Sequence, residues 1–401
     1  MTNETFNIIC LSNQMWDYPL PTNKKHVMSR LSKMGHNVLF VDPPINTGRL
    51  FAKQIVRRQW SPKRLLTQTY KEEKVMIYSP LNMLPNGEVT SKMHAERISS
   101  LAGRNFDPNK RTILWVYHVE TPGLQNYLDL ISRDLLIYDC VDNYAAFPEN
   151  SLFYSATVGK EKIIAQEKSL TEQADLVFAT APGLVEKLGV YTDIVHYTPN
   201  VGNYPKFSKS PDLKDSIPSD LSSIRRPRIG FTGAVDEYKF DKELVKYLAE
   251  KNPNYSFVII GPMALKDREA SSEELGFGDL DNVHFLGSRP YEGLENYYAG
   301  FDAFIIPFQL NDYTVGGCFP IKFHDALAGG LATVVTDLPA YAPFKDVTYI
   351  AKNKEDFSNL LEQALKEDSK EKVQARLEVA EKNDWDGKVS NMLNLIYSKL
   401  K

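Results

Sequence analysis

The chain has 401 residues, of which 43% are hydrophobic and 24% are charged, as in a folded globular protein and unlike a disordered one. The net charge of −4 gives no basic field, so no nucleic-acid partner is expected. Cys10, Cys140 and Cys318 are too few and too widely spaced for a disulfide framework or a cysteine metal site, and they favour a reducing compartment. With no signal-peptide pattern and no apolar run near ~20 residues, the expected location is the cytoplasm.

The first half of the chain alternates short apolar strands with helical stretches. "FNIICL" reads as a buried strand, and Val27, Met28, Leu31 and Met34 then recur at helical spacing until Gly35. "HNVLFVDPP" is a second strand, which completes a βαβ unit and predicts a parallel sheet. The pattern continues through "TILWVYHV", "LLIYDCV", "ADLVFAT" and "IVHYTPN".

A polar, proline-bearing stretch, "KFSKSPDLKDSIPSDLSSIRRPR", interrupts this alternation and reads as a linker. Strands and helices then resume, and an amphipathic helix that Asp384 or Asp386 caps ends the chain. We predict an α/β protein with two Rossmann-like domains facing across a cleft, where a ligand binds at the carboxyl ends of the strands. The predicted units are a first domain at 1–203, a linker at 204–228, a second domain at 229–380, and a helix at 381–401 that crosses back to the first domain.

Two loops at strand ends of the second half are candidate binding sites. No strand leads into GxGxxG, which argues against a dehydrogenase. In "GFTGAVDEYKFDKELV", Gly233 lets the backbone approach a ligand, Lys239 reaches a phosphate, and Asp241 caps the next helix. In "LGSRPYEGL", Arg289 contacts phosphate or base, or is a solvated loop arginine.

A third loop leads into the helix start "FPIKFHDALAGG". Pro320 suits a first helical turn, and Gly316 and Gly317 free backbone N–H groups ahead of it. A helix N-terminus binds anions, and Lys322 in the first turn opposes the helix dipole unless an anion is present. Asp325 shares a face with Lys322 and suits the hydroxyls of a ribose. A nucleotide diphosphate satisfies both residues, and a surface Lys–Asp pair is the alternative.

With these segments in view, the chain resembles a family 4 type glycosyltransferase of the GT-B fold, and most closely the bacterial teichuronic-acid and other cell-surface polysaccharide glycosyltransferases. The resemblance covers nearly the whole chain and is carried by "SNQMWDYPLPTNKKHVMSRLSKMGHNVLFVDPP", "LLIYDCVDNYAAF", "ADLVFATAPGL", "GFTGAVDEYKFDKELV", "NVHFLGSRPYEGLENYYAGFDAFIIPF" and "FPIKFHDALAGGLATVVTD". It implies a nucleotide-diphosphate sugar of UDP or GDP type as co-substrate and no other cofactor. It also implies a saccharide or lipid-linked acceptor, transfer with retention, and no catalytic metal.

The helix start departs from the pattern of similar enzymes. These commonly carry two glutamates eight residues apart, and here Asp325 takes the second position and Gly317 the first. The usual aromatic residue after the second acid is Ala326. Because the first glutamate usually touches the donor sugar, we expect Asn311 to replace part of that contact.

Three residues of the first half are candidates for the chemistry, one of them through the resemblance and two through their positions at a strand end and in a loop. Similar enzymes often have a histidine near the transferred sugar, and His118 ends a strand in "LWVYHVETPG". Asp142, in "YDCVDNY", is the candidate for binding or deprotonating the acceptor hydroxyl, and its spacing from Asp139 is wrong for a metal-binding DxD. Asp17 lies on the first βα loop and lines the acceptor pocket. The alternative for each is an ordinary strand-end or capping residue.

Residues 48–71 form a locally basic stretch in an acidic protein. Seven lysines and arginines alternate there with apolar residues, a pattern that suits an anionic membrane surface at the inner face of the cell membrane. The alternative is a solvated helix packed on the first domain.

Two other functions remain open from the sequence. One is a GT-B-shaped nucleotide-sugar epimerase or a phosphorylase, of which the epimerase needs further acid and base residues around the donor sugar. The other is a non-catalytic protein that binds a nucleotide sugar or scaffolds a polysaccharide assembly, which the departures at Gly317 and Ala326 suggest.

Overall fold

Two sheets of mainly parallel strands organise the chain in the computed structural model. It describes residues 4–18, 21–46, 68–82, 84–147, 158–265, 268–269 and 271–401. Each sheet has its own hydrophobic core. Their central strands are buried on both faces, which explains why they read as continuous apolar runs rather than as alternating patterns.

The first sheet has eight strands in the order β10-β9-β8-β7-β1-β2-β5-β4. All its neighbouring pairs are parallel except β4–β5, which is antiparallel. The strands, with the separate parallel pair β3–β6, are β1 (Asn7–Leu11), β2 (Asn37–Val41), β3 (Ile45–Asn46), β4 (Thr69–Glu72), β5 (Val75–Tyr78), β6 (Leu81–Asn82), β7 (Thr112–Val116), β8 (Leu135–Cys140), β9 (Leu176–Ala179) and β10 (Val195–Tyr197). The strand order reverses between β1 and β7, and such a reversal opens a crevice at the carboxyl ends of the strands.

The helices of the first domain connect these strands. They are α1 (Asn23–Lys33), α2 (Glu88–Asn105), α3 (Leu124–Leu130), α4 (Lys160–Gln173) and α5 (Pro182–Gly189). In α1, Val27, Met28 and Leu31 are buried as their spacing predicts. Gly35 has a φ of 98° just after the helix, a conformation that favours glycine.

The second sheet has six parallel strands in the order β15-β12-β11-β16-β17-β18. These strands, with the separate hairpin β13–β14, are β11 (Arg228–Thr232), β12 (Ser256–Ile260), β13 (Ala264–Leu265), β14 (Arg268–Glu269), β15 (Val283–Gly287), β16 (Ala303–Ile306), β17 (Thr333–Thr336) and β18 (Tyr349–Ala351). The strand order reverses again, between β11 and β16, so this sheet also opens a crevice at the carboxyl ends of its strands.

Short helical turns occupy the stretch that the sequence predicts as a linker. They are α6 (Tyr204–Phe207), α7 (Ser219–Ser222) and two 3-10 turns (Ser210–Asp212, Lys214–Ser216). Phe207 and Leu221 are buried in the core of the second domain, so this stretch packs on that domain. The exact domain limits stay a prediction.

The helices of the second half are α8 (Lys242–Lys251), α9 (Leu294–Tyr298), α10 (Asp312–Gly317), α11 (Ile321–Ala328), α12 (Lys354–Lys366), α13 (Lys370–Lys382) and α14 (Trp385–Leu400). Asp241 caps α8 by accepting a hydrogen bond from the Leu244 N–H at 2.9 Å, as predicted. Asp384 caps α14 through the Gly387 N–H at 2.8 Å.

The last helix, α14, returns to the first domain. Trp385, Val389, Met392 and Ile396 belong to the first core. Lys388 of the same helix donates to the Thr198 carbonyl at 2.9 Å. The predicted crossing of the C-terminal helix is therefore confirmed.

The predicted basic membrane face at 48–71 lies outside the described residues except for 68–71. Within the described part of the chain, every helix is too short or too polar to span a bilayer.

Candidate active site

The two domains meet where the carboxyl ends of their strands face each other. Tyr313 of α10 donates its hydroxyl to Asp142 Oδ1, beyond the end of β8, at 2.8 Å. In the same region α10 packs against α5. The cleft between the sheets is therefore bounded by side chains from both halves of the chain.

Lys322 is a cation in the first turn of α11, where the helix dipole disfavours it. Its Nζ lies 4.1 Å from the centroid of the Phe231 ring and 5.3 Å from that of Phe308. The Lys322 ammonium makes no hydrogen bond to any described residue. Burial, with Lys239 nearby, lowers its pKa to about 7. A bound anion at this point would favour the protonated, positively charged form of Lys322.

Gly233 directly follows β11 and lies next to this ammonium. Its φ of 137° lies in the range that L side chains rarely adopt. A Cβ at this position would lie 2.1 Å from Lys322 Nζ. The backbone conformation therefore favours glycine here, and a side chain at this position would displace the flexible end of Lys322.

Asp325, one turn further along α11, is 7% exposed. Its Oδ1 accepts a hydrogen bond from the Asn203 N–H at 2.8 Å. No described residue donates to Oδ2. Burial raises the pKa of Asp325 to about 7, against the opposing effects of the Asn203 bond and of Lys206. The carboxyl is thus anchored on one oxygen and has the other available for a ligand.

Lys239 lies in the loop after β11 and forms an ion pair with Asp236 at 3.2 Å. Burial is the largest single effect and would lower its pKa, but Asp236, together with the smaller effects of Tyr238, Cys318 and Asp142, outweighs burial and the net pKa is raised. This lysine therefore stays protonated through neutral pH, in contrast to Lys322.

Arg289 is engaged within the second domain. Its guanidinium contacts Asp220 at 2.7 Å and the Tyr297 hydroxyl at 2.9 Å. The predicted contact with phosphate or base stays a prediction, and it requires Arg289 to exchange or share these partners.

Three other predicted donor residues, the N-cap of α10 and its last two residues, connect this helix to its surroundings. Asn311 caps the helix, accepting from the Tyr313 and Thr314 N–H groups, and donates to the Tyr238 carbonyl at 2.7 Å. A Cβ added to Gly316 would lie 3.6 Å from the side-chain amide nitrogen of Asn143, and a Cβ added to Gly317 would lie 2.7 Å from Asn143 Cβ. These two glycines therefore let the second domain approach the first closely. Their predicted contact with a donor stays a prediction.

On the first-domain side, His118 and Asp142 both reach the cleft, where each is partly exposed. Burial, with Lys24 nearby, lowers the pKa of His118 to about 3, so its imidazole is neutral at physiological pH. Burial raises the pKa of Asp142, while Lys24 and the Tyr313 hydrogen bond lower it in part. A neutral imidazole and a partly neutralised carboxylate suit hydrogen bonding to sugar hydroxyls.

The other two acids of the first domain differ in position. Asp17 is exposed on the loop after β1, so its predicted role at the acceptor pocket stays a prediction. Asp139 is 1% exposed within β8 and accepts from the Trp115 indole at 3.1 Å. It lies beneath the floor of the cleft.

Lys24, which sequence reasoning missed, is a cation of the cleft floor. It lies in the first turn of α1, is 6% exposed, and makes no hydrogen bond to any described residue. Burial lowers its pKa, against the opposing charges of Asp142, Asp139 and Glu120. The available signal was its position at a helix start, the same one that identified Lys322.

No three His, Cys, Asp or Glu side chains converge on a metal-binding geometry within the described ranges of the chain.

Comparison with known proteins gives one partial family match and several structures of the same fold. Residues 226–367 match the family described as "Glycosyl transferases group 1". No curated protein matches the chain at a significant level. Sucrose-phosphate synthase from Thermosynechococcus elongatus is 14% identical, with a TM-score of 0.66 over 98% of each chain. HepE from Anabaena, in complex with UDP and glucose, is 13% identical, with a TM-score of 0.66 over 98% of this chain and 100% of that one.

The catalytic domain of starch synthase IV from Arabidopsis thaliana, bound to ADP and acarbose, is 12% identical, with a TM-score of 0.63 over 99% of each chain. Identities this low establish the fold alone. The predicted GT-B architecture of two Rossmann-like domains is confirmed, and residues 226–367 of its second half match the model of the glycosyltransferase group 1 family.

Proposed function

We propose that the protein is a glycosyltransferase that transfers a sugar from a nucleotide-diphosphate sugar to a saccharide or lipid-linked saccharide acceptor. The observation that carries this proposal is Lys322. Its ammonium lies above Gly233 at the start of α11, and no described carboxylate neutralises it through a hydrogen bond. Unpaired cations at helix starts suit phosphate groups.

The proposed donor side of the site is supported by the geometry around α11. Lys322 and the Gly233 backbone bind the diphosphate, and Oδ2 of Asp325 accepts from the ribose hydroxyls. Lys239 supplies a second positive charge. HepE was solved with UDP and glucose, and also with UDP-glucose, which supports a donor of this class.

The proposed acceptor side lies in the first domain. Asp142 accepts a hydrogen bond from the attacking hydroxyl, and His118 hydrogen-bonds the transferred sugar. The hydroxyl oxygen bonds to the anomeric carbon, the bond from that carbon to the diphosphate oxygen breaks, and the hydroxyl proton leaves to the departing phosphate. Attack on the same face gives retention. No carboxylate nucleophile and no metal is invoked.

The cellular setting also remains a proposal. The sequence resemblance supports a family 4 enzyme of bacterial cell-envelope polysaccharide biosynthesis, which works in the cytoplasm at the inner face of the membrane. The basic residues of 48–71 are the proposed membrane contact.

A thermal-shift screen against UDP, GDP, CMP and dTDP tests the donor site. A ligand that binds only the folded protein raises the free energy of unfolding, by about 2.7 kcal/mol when its concentration is one hundred times its Kd. The melting temperature therefore rises with ligand concentration. We expect a shift with UDP or GDP that disappears in Lys322→Met. It should persist in Lys246→Met, which changes a lysine paired with Glu243 on α8. No shift with any of the four would refute the donor site.

A non-catalytic nucleotide-sugar-binding protein is a second candidate. It is favoured by Gly317, which packs on Asn143 and presents no side chain to a donor sugar. Release of UDP from UDP-glucose by the wild type, with loss of that release in Asp142→Asn, would exclude this candidate. Binding of UDP without release from any UDP- or GDP-sugar would favour it.

A further inference from the structure

The hydrogen bond between Tyr313 and Asp142 joins the two domains inside the cleft. The donor and acceptor residues are 171 positions apart in the chain, and the O–O distance is 2.8 Å. Tyr313 is 5% exposed. Within the described part of the chain no other group hydrogen-bonds the Asp142 carboxylate, and its side chain remains partly exposed. Oδ1 is thus occupied by the protein, and Oδ2 is available in the cleft.

The ring of Tyr313 is held by contacts from both domains. It packs on Phe147 of the first domain at 4.8 Å between centroids and on Tyr238 of the second at 5.3 Å. Asn311 caps the short helix that carries Tyr313 and hydrogen-bonds the Tyr238 backbone. The tyrosine therefore has little rotational freedom when the domains are together.

Backbone contacts beside the ring show how close this approach is. A Cβ on Gly183 of α5 would lie 2.3 Å from the Gly316 carbonyl oxygen. A Cβ on Gly317 would lie 2.7 Å from Asn143 Cβ. Without side chains at these points, α10 settles against the first domain, and this places the Tyr313 hydroxyl on Asp142.

The charged and titratable groups around Asp142 come from several elements. Lys24 is on α1, Cys140 and Tyr144 are on its own segment, Tyr238 and Lys239 are on the loop after β11, and Cys318 follows α10. Of these groups, the two lysines are basic; the pKa of Lys239 is raised, whereas burial lowers the pKa of Lys24. Tyr313 is the described residue whose hydroxyl donates directly to the carboxylate.

We propose that Tyr313 is a positioning residue that completes the acceptor side of the site from the donor domain. This inference rests on the proposed glycosyltransferase function. Tyr313 fixes the rotamer of Asp142 so that Oδ2 faces the incoming hydroxyl, and its hydrogen bond favours the ionised form of the carboxylate. Because Tyr313 belongs to the second domain, Asp142 reaches this state only when the domains close, so the acceptor is activated only in the closed enzyme.

The test compares Tyr313→Phe with the wild type, since phenylalanine keeps the ring contacts and removes only the hydroxyl. UDP release from UDP-glucose, with water as the acceptor, is measured from pH 5 to 9, together with the Kd for UDP. Loss of a hydrogen bond to an ionised group raises the pKa of Asp142, so the acid limb of the rate moves about one unit to higher pH. At pH values below the wild-type limb, the rate of Tyr313→Phe should be about tenfold lower than the wild-type rate, and its Kd for UDP should be unchanged.

Two further variants separate positioning from a general structural effect. Tyr341→Phe removes a hydroxyl that is buried without a partner in the second core, and it should keep the wild-type pH profile. In an Asp142→Asn background, Tyr313→Phe should cause no additional loss, because its effect acts through Asp142.

The outcomes are distinguishable. If Asp142→Asn reduces the rate but Tyr313→Phe leaves both rate and pH limb unchanged, the positioning role is wrong and the glycosyltransferase proposal stands. If Tyr313→Phe lowers the rate equally at all pH values and adds to Asp142→Asn, the role is structural. If the wild type neither binds UDP nor releases it, both proposals fail.

Discussion

The charge state of Lys322 predicts how nucleotide affinity depends on pH. Its pKa is lowered to about 7 in the free protein, first by burial and then by Lys239. A bound diphosphate favours the protonated lysine, so binding takes up a proton above pH 7. The affinity for UDP should therefore fall as pH rises from 7 to 9.

The magnitude follows from the protonated fraction of this lysine. About half of Lys322 is protonated at pH 7 and about 1% at pH 9, so if only the protonated form binds, the Kd rises about 50-fold. The second ionisation of a phosphate, near pH 6, is about nine-tenths complete at pH 7 and essentially complete at pH 9, so it adds little to the trend. Lys239 has a raised pKa and stays charged. Asp325, with a pKa of about 7, gains charge as pH rises and would partly oppose the trend.

Isothermal titration calorimetry of UDP at pH 7, 8 and 9, each in two buffers of different ionisation enthalpy, measures both affinity and proton uptake. The Lys322→Met variant should bind UDP weakly at every pH. It should also lack the part of the wild-type proton uptake that comes from this lysine. Lys246→Met should behave as the wild type. A wild-type Kd that stays constant from pH 7 to 9, with no proton uptake, would refute the assignment of Lys322 to the diphosphate.

Three further predictions concern stability and domain approach. Replacing His324, fully buried with both ring nitrogens unpartnered, by leucine should raise the free energy of unfolding by about 1–3 kcal/mol at pH 7 in urea titrations. Burial lowers the pKa of His324 in the folded protein to about 3, so below pH 6.5 the unfolded chain binds a proton that the folded protein does not, and the folded protein loses stability. At pH 5 the stability advantage of the leucine variant over the wild type should therefore be about 2 kcal/mol larger than at pH 7, and an advantage that does not change with pH would contradict this. Gly183→Ala places a Cβ 2.3 Å from the Gly316 carbonyl oxygen, so we expect a larger radius of gyration by X-ray scattering and at least a tenfold loss of UDP release. Gly189→Ala, whose added Cβ meets nothing within 4 Å, is the matched control, and equal behaviour of the two variants would count against the contact. Trp385→Ala removes a fully buried ring from the first core and should cost about 3–5 kcal/mol in the same titrations, whereas a loss under about 1 kcal/mol would mean that α14 does not brace the first domain.

The local structure of this protein is largely encoded in short stretches of its sequence. Buried strands appear as runs of apolar residues, and the caps at Asp241 and Asp384 follow from a polar residue before a periodic helix. The alternation of these elements predicts two parallel sheets, because a βαβ crossover leaves few other arrangements. Lys322 and Asp325 fall on one face of α11 for the same local reason.

Only the tertiary structure decides which of these groups meet across the cleft. Arg289 looks available in the sequence, yet it pairs with Asp220, which is 69 positions away. Gly316 and Gly317 look like a ligand loop, yet they lie against the first domain. The Tyr313 hydroxyl reaches Asp142 over 171 positions. Periodicity reports the environment of a residue within its own helix or strand, whereas contacts between domains depend on how two separately built sheets approach each other, and no local pattern carries that information.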